Sequence, residues 1–249
     1  MSESVSFSEI FSSIQGEGML AGRRQIFARL TGCNLDCRYC DTNFEKTDIC
    51  RIESAPGSGR FTDFSQPLPF SQMLAVITDW QSLLPGAHHS ISFTGGEPLL
   101  SVDMLAKWLP KIRRLIPVHL ETNGIMNIAL LKVIKHLDYI SMDIKLPSTS
   151  GCTEHLWDLH HLFLSQAQKV NVSVKIVVGD STDDYEINRV CEIILSSNPS
   201  TPLFLQPLML PDGLVGTSAR HIMKLQELAS SRLPDVRVMP QMHKILGVL

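Results

Sequence analysis

The chain has 249 residues, enough to bury a full core in one large domain. With 44% hydrophobic and 19% charged residues it has the balance of a globular protein, which argues against a disordered or fibrous chain. A formal charge of −3 with scattered Lys and Arg leaves no basic footprint for nucleic acid, and no apolar run approaches the roughly 18–20 residues that span a bilayer.

The N-terminal "MSESVSFSEIFSSIQGEG" has neither the basic start nor the apolar core of a secretory signal. A reducing, cytoplasmic setting is therefore expected, where clustered cysteines serve metals or catalysis more often than disulfides. "QIFARLTG" (25–32) reads as a strand and runs into a loop holding Cys33, Cys37 and Cys40. Residues 48–69 are rich in Ser, Pro and Gly and read as a long loop or small insertion. "SQMLAVITDWQSL" has helical spacing, "HSISFTGG" is a strand ending in glycines, and "SVDMLAKWLPKIRRL" is a helix capped by Ser101.

Strand and helix then alternate: "VHLETNG", "IALLKVIKHL", "YISMDIKL", "EHLWDLHHLFLSQAQ", "NVSVKIVVG", "DDYEINRVCEIILSS", "PLFLQPLM" and "SARHIMKLQELASS". "DVRVMPQMHKILG" closes the series as a final strand with a tail. Repeated βα units imply a parallel sheet with helices outside. Six units and an extra strand predict a single α/β domain over 1–249, an incomplete (β/α)6-type, TIM-like barrel with an insertion at about 48–69. In such barrels chemistry collects where strands end. The cysteine loop, "TGGEP", "ETNG", "MDIK" and "LQPL" all fall at such places.

Thiolates favour zinc or iron–sulfur. A structural zinc site needs a fourth protein ligand, whereas a cubane on three cysteines keeps one iron open, and spacing leaves both possible. Cys50, Cys152 and Cys191 read as ordinary buried or loop thiols. The adjacent His160 and His161 in "LHHLF" point to different faces of a helix, unlike a metal-binding i, i+4 pair, and read as structural.

With "FTGGEPLL" downstream, the C-x3-C-x2-C loop resembles the radical S-adenosylmethionine superfamily, and this decides for the open cluster. "IFSSIQGEGMLAGRRQIFARLTGCNLDCRYCDT", "FTGGEPLL", "ETNG", "LQPL" and "HKILGV" together resemble the 7-carboxy-7-deazaguanine synthase family over nearly the whole chain. The resemblance implies a radical SAM fold and one 4Fe-4S cluster per subunit. It implies conversion of 6-carboxy-5,6,7,8-tetrahydropterin to 7-carboxy-7-deazaguanine with loss of ammonia, in queuosine or deazapurine biosynthesis. S-adenosylmethionine would be regenerated rather than consumed, and Mg2+ would assist.

Carried over residue by residue, the resemblance implies that Cys33, Cys37 and Cys40 hold the cluster and Thr42 the magnesium. Ile14, Gln15, Gly16, Arg29, Thr94 and His243 would contact the pterin, with Glu17 and Lys244 beside them. Tyr39, Cys40, Asp41, Gly96, Ser141, Asp143, Lys145 and Gln206 would contact S-adenosylmethionine, and Glu121 and Asn123 would shape the site. It further implies a flavodoxin or ferredoxin as electron donor and a homodimer. Two rivals remain. One is a radical SAM activating enzyme acting on a protein partner, which "MDIK" would suit; the other is a non-catalytic zinc-binding barrel. "QGEG" and "HKILG" argue against the first, the intact cysteine loop and Arg29 against the second.

Overall fold

The computed structural model describes residues 6–40, 42, 47–210 and 213–249. Strand–helix alternation runs as expected. The strands are β1 (Phe7–Ile14), β2 (Arg24–Leu30), β3 (Ile49–Glu53), β4 (Phe61–Ser65), β5 (Ser90–Gly95) and β6 (Val118–Thr122). They continue with β7 (Tyr139–Asp143), β8 (Asn171–Val178), β9 (Leu203–Pro207) and β10 (Val236–Val238). The helices are α1 (Phe70–Leu83), α2 (Val102–Ile112), α3 (Asn127–Val133), α4 (Pro147–Ser150), α5 (Leu156–Ala167), α6 (Asp184–Ser197), α7 (Ala219–Ser230) and α8 (Met242–Leu246).

One sheet contains all ten strands in the order β10-β9-β8-β7-β6-β5-β2-β1-β3-β4. The run from β2 through β5 to β10 is parallel throughout. The sheet begins and ends on different strands, so it is an open barrel of βα units with β10 as the extra strand, as the sequence predicts.

Strand parity assigns the two faces. Ile91 and Phe93, Val118 and Leu120, Ile140 and Met142, Val174 and Ile176, and Leu203 and Leu205 all belong to the buried core beneath the helices. The helices answer with stripes at helical spacing, such as Met73, Val76, Ile77 and Trp80 of α1. The intervening residues (Ser92 and Thr94, His119 and Glu121, Ser141 and Asp143, Ser173 and Lys175) face the barrel interior, which is therefore polar.

Three local expectations are corrected. Residues 48–69 are not a loop: β3 and β4 form an antiparallel hairpin, and β3 adds to β1 in parallel. The buried Glu53 carboxylate organises it, accepting the N–H groups of Ser12 (2.9 Å), Gly57 (3.0 Å) and Gly59 (2.6 Å). Ser101 makes no side-chain cap to α2. A 3-10 turn over Pro98–Ser101 precedes that helix, and Glu97 caps the turn by accepting Leu99 N–H at 2.9 Å. Finally, the tail after the last strand folds into the short α8, which takes in "HKIL" and is capped by Gly247.

His160 and His161 separate as their spacing requires: His160 is fully buried and His161 exposed. The His160 Nε2 accepts Lys145 N–H at 3.1 Å, so its Nδ1–H donates to Gly124 O at 3.1 Å. One ring thus holds α5 to the turn after β6 and to the end of β7.

Burial holds His88, His119 and His160 down at about 4, against an ordinary 6.5. The unfolded chain therefore takes up protons first as pH falls below 6.5, and stability is lost between about 6.5 and 4. The urea midpoint should fall steadily across that window. His88→Gln should flatten that slope, because it removes one of the buried rings that stay neutral in the fold. A midpoint constant from pH 7 to 4.5 would contradict the neutral burial of these rings.

Candidate active site

A cavity of about 1050 Å³ opens where the parallel strands end. Its wall includes the cysteine loop, the 14–18 turn, the glycines after β5, the ends of β6 to β9, and residues of the C-terminal segment. Of the sequence-predicted residues, Ile14, Gln15, Gly16, Arg29, Cys33, Cys37, Tyr39, Cys40, Thr42, Thr94, Gly96, Ser141, Asp143, Lys145, Gln206 and His243 all lie on it. So do Glu17, Glu121, Asn123 and Lys244. Asp41 lies outside the described residues.

Backbone contacts assemble this wall. Gly96 N–H donates to Leu30 O (3.1 Å) and Glu97 N–H to Gly32 O (2.9 Å), fastening the end of β5 to the start of the cysteine loop. A Cβ on Gly96 would lie 1.8 Å from Gly32 O, and one on Gly95, at φ +110°, 2.3 Å from Leu30 O. The glycine pair is thus demanded first by this close approach of two chain segments. Glu97, fully buried, also accepts Asn123 N–H at 2.8 Å and the Thr122 hydroxyl at 3.0 Å, which joins β5 to β6.

The "QGEG" and "HKILG" segments meet directly. Met242 N–H donates to Gly16 O at 3.0 Å, and a Cβ on Gly16 would lie 2.1 Å from His243 Nδ1. Glu17 accepts Gln241 Nε2 at 2.8 Å. The two ends of the chain therefore close one side of the cavity together.

A chain of half-buried charges crosses the floor. Lys145 Nζ lies 2.8 Å from Asp143 Oδ2 and donates to Tyr39 OH at 3.0 Å. Lys175 Nζ lies 3.3 Å from the same Asp143 oxygen and 2.6 Å from Glu17 Oε2. Burial opposes each charge, but the partners prevail: Asp143 and Tyr39 hold Lys145 well above the usual lysine range, and Asp143 and Glu17 do the same for Lys175. Burial likewise works to raise Glu17, yet Lys175 and Gln241 hold it below the ordinary carboxylate range. Lys175 escaped sequence reading. The available signal was a lysine inside the apolar "NVSVKIVV", at a position that pairs with Asp143 across β7 and β8.

Arg29 sets Nη1 against Glu9 Oε1 at 2.5 Å and its guanidinium carbon 5.1 Å from the Phe11 ring centre. The fork is thereby oriented at the cavity edge. Gln15 donates Nε2 to Glu121 Oε1 at 2.9 Å, and the Thr94 hydroxyl donates to Glu121 Oε2 at 3.2 Å. Glu121 thus fixes two predicted pterin contacts.

All six cysteines are free thiols. Burial raises Cys33 and pushes Cys37 up to about 12, so loading a metal group here must displace protons. Cys152, in the loop after α4, sets its Sγ 4.0 Å from Cys37 Sγ, and Ser150 O at the end of α4 accepts Arg38 N–H. Sequence separation hid this pair. Among the described residues no three His, Cys, Asp or Glu side chains close around one metal ion.

The donor set fits an iron–sulfur cluster and its cosubstrate. Three soft ligands line one wall, and two residues of the cavity, Asn123 and Asp143, each carry a buried oxygen with no hydrogen-bond partner among the described residues. Such acceptors call for donors from a ligand.

Lys175→Met should be destabilising, by about 1–3 kcal/mol, because it leaves the half-buried Glu17 and Asp143 without their shared cation. Adding Glu17→Gln should recover part of that loss. Urea unfolding of the single and double variants checks both, and strict additivity would argue against the coupling.

A family model described as the Radical SAM superfamily matches residues 29–163. The chain is 50% identical over 242 residues to the 7-carboxy-7-deazaguanine synthase of Geobacter sulfurreducens, covering 97% of this chain and 96% of that one. It is 36% identical over 258 residues to the synthase of the same name from Methanothermobacter thermautotrophicus, covering 96% of each. In fold it is similar to QueE from Escherichia coli, with a TM-score of 0.59 at 22% identity, over 96% of this chain and 94% of that one. A radical SAM methyltransferase from Sphaerobacter thermophilus gives a TM-score of 0.56 at 12% identity, over 93% and 77% of the two chains. The open barrel, the three-cysteine loop on its cavity and this full-length likeness have one reading: the chain belongs to the 7-carboxy-7-deazaguanine synthase family of the radical SAM superfamily.

Proposed function

We propose that the chain converts 6-carboxy-5,6,7,8-tetrahydropterin to 7-carboxy-7-deazaguanine with loss of ammonia. One observation carries the reading furthest. The 14–18 turn and the C-terminal segment meet over the same cavity that Arg29 and the cysteine loop line, which supports reading the features that set this family apart from other radical enzymes as one site.

Cys33, Cys37 and Cys40 would hold a 4Fe-4S cluster. With S-adenosylmethionine bound, it would supply the one-electron chemistry that takes a hydrogen from pterin C6, returns it after the rearrangement and so regenerates the cosubstrate. The remaining work falls to the chain. Arg29 offers the pterin carboxylate a planar fork already steadied by Glu9 and Phe11. Ile14, Gln15 and Gly16 present backbone and amide groups to the ring edge, Thr94 adds a hydroxyl, and His243 covers the site from the tail. Tyr39, Cys40, Asp41, Gly96, Ser141, Asp143, Lys145 and Gln206 would receive S-adenosylmethionine. The ammonium of Lys145 can meet its carboxylate, and the partnerless Asp143 Oδ1 its hydroxyl or amino hydrogens.

Magnesium belongs to the same reading. Thr42, on the cavity wall, offers the oxygen ligand a hard cation prefers, near where a substrate carboxylate would lie. A flavodoxin or ferredoxin would reduce the cluster in a reducing cytoplasm. A homodimer is supported by the edge strands β4 and β10 that the open sheet leaves. No helix among the described residues is long and apolar enough to cross a membrane.

Anaerobic turnover of iron-reconstituted protein with dithionite, S-adenosylmethionine, magnesium and the pterin tests the proposal by mass spectrometry. Formation of 7-carboxy-7-deazaguanine without stoichiometric 5′-deoxyadenosine is expected. Release of 5′-deoxyadenosine with the pterin unchanged would sink the substrate assignment. For the cluster, Cys37→Ser should abolish iron loading, whereas Cys152→Ser should keep the full iron content and visible absorption. The reverse result would make Cys152 a ligand.

A further inference from the structure

Beneath the cavity lies a closed set of polar side chains that the chemistry above does not use. Gln25 and His119 are both fully buried, and neither lines the cavity. His119 Nε2 lies 2.9 Å from the Ser141 hydroxyl, which does line it. Heavy-atom positions leave the proton on this ring undecided, but its neighbours decide it.

The argument starts at the backbone. Glu17 N–H donates to Gln15 Oε1 at 3.0 Å, so the other end of that amide must be its NH2 group. That group donates to the Glu121 carboxylate and to Gln25 Oε1, each at 2.9 Å. Gln25 is thereby oriented in turn: its Nε2 faces Ser90 Oγ at 2.5 Å and His119 Nδ1 at 3.3 Å. A ring nitrogen that meets an N–H must be an acceptor. The hydroxyl hydrogen of Ser92 is taken by Glu121 Oε1 at 2.6 Å, leaving Gln25 as the donor to this nitrogen. The competing arrangement, Nδ1–H donating to Ser92 Oγ at 3.1 Å, would set the Gln25 and His119 N–H hydrogens against each other across the 3.3 Å between their nitrogens, without water access, and leave that amide hydrogen unpaired. An accepting Nδ1 brings only a nitrogen and an oxygen lone pair together, the lesser cost. Burial keeps His119 neutral at ordinary pH. Its single proton then sits on Nε2.

We infer that the relay from Glu17 N–H through Gln15, Gln25 and His119 fixes Ser141 as a hydrogen-bond donor to whatever occupies the cavity. His119 Nε2–H donates to Ser141 Oγ, which directs the serine's own hydrogen into the cavity. His119 and Gln25 are positioning residues, and on the reading above the acceptor is an oxygen or nitrogen of S-adenosylmethionine. The same Gln15 carboxamide lies on the pterin side, so one chain of bonds couples the walls that would hold the two small molecules.

The test is made on cluster-loaded protein in its oxidised state, labelled with 15N-histidine. Long-range 15N–1H correlation identifies the tautomer of His119, assigned by its loss in His119→Gln. An Nε2–H ring, unchanged from pH 7 to 5, is expected; an Nδ1–H ring, or one protonated on both nitrogens, overturns the relay. Gln25→Met should release Nδ1 to protonate and weaken S-adenosylmethionine binding about tenfold, as Ser141→Ala should, the worth of one hydrogen bond. The double variant should lose about tenfold, not a hundredfold, because both changes remove one interaction. Additive losses in calorimetric titration would overturn the positioning role. If the unaltered protein fails to bind S-adenosylmethionine, the functional reading falls, while the tautomer still decides the relay.

Discussion

Four charges in a row, Lys145, Asp143, Lys175 and Glu17, are the constraint on which the rest of this molecule rests. None of them is well solvated, and each has its charge balanced only by the next. Such a chain contributes little net stability against a hydrophobic alternative, but it tolerates very few arrangements. It requires β7 and β8 to stay in one register, since Asp143 and Lys175 are cross-strand partners. It also requires the turn after β1 to lie across the mouth of β8, and through Gln241 it reaches the C-terminal segment. Tyr39 ties the cysteine loop to the same chain through Lys145. Five remote parts of the sequence thus converge on two lysines.

This constraint exists because the sheet is turned inside out relative to a filled barrel. The side chains that pack as core lie outside, under the helices, and the inner face carries Ser, Thr, His, Glu, Asp and Lys. A barrel filled with aliphatic layers needs no ligand. One lined with hydrogen-bonding groups must satisfy them internally or leave them for a guest. Both solutions are present. Near the bottom, Gln25, Ser90, Ser92 and His119 are satisfied by one another and by Gln15, Glu121 and Ser141, whereas near the top Asn123 and Asp143 each keep an oxygen without a partner among the described residues. The gradient from closed network to open acceptor marks where the protein ends and its binding space begins.

What could be read in the sequence follows the same division. Period-two and helical patterns located the parallel strands and the outer helices, because those signals come from the apolar face and each is local. Strand β1 was invisible because a bulge between Phe7 and Glu9 breaks its parity, placing Phe7 and Ile10 on the same buried side. The β3–β4 hairpin was hidden by "SAPGSGR", whose composition reads as a loop although Glu53 binds it into a turn. Among site residues, those in compact motifs were legible. Lys175 was not, since it acquires its meaning from a partner in another segment, Asp143. Glu97 was legible as part of a motif, but its work, capping a turn and joining β5 to β6, needed coordinates.

The glycines show how closely motif and fold are bound together. Gly95 and Gly96 could be taken for a place where a small molecule approaches the backbone, and they do line the cavity. Their missing Cβ atoms are nevertheless filled by the chain itself, by Leu30 and Gly32 at the root of the cysteine loop. Gly16 is filled in the same way by His243. A substitution at any of the three would first push apart two segments of protein and only then disturb a guest. The loop that carries the thiols and the tail that covers the site are therefore positioned by backbone contact before anything binds. Preorganisation of this kind spares binding the entropy of ordering the walls. It lets the flexible, chemically expressive side chains above them be few.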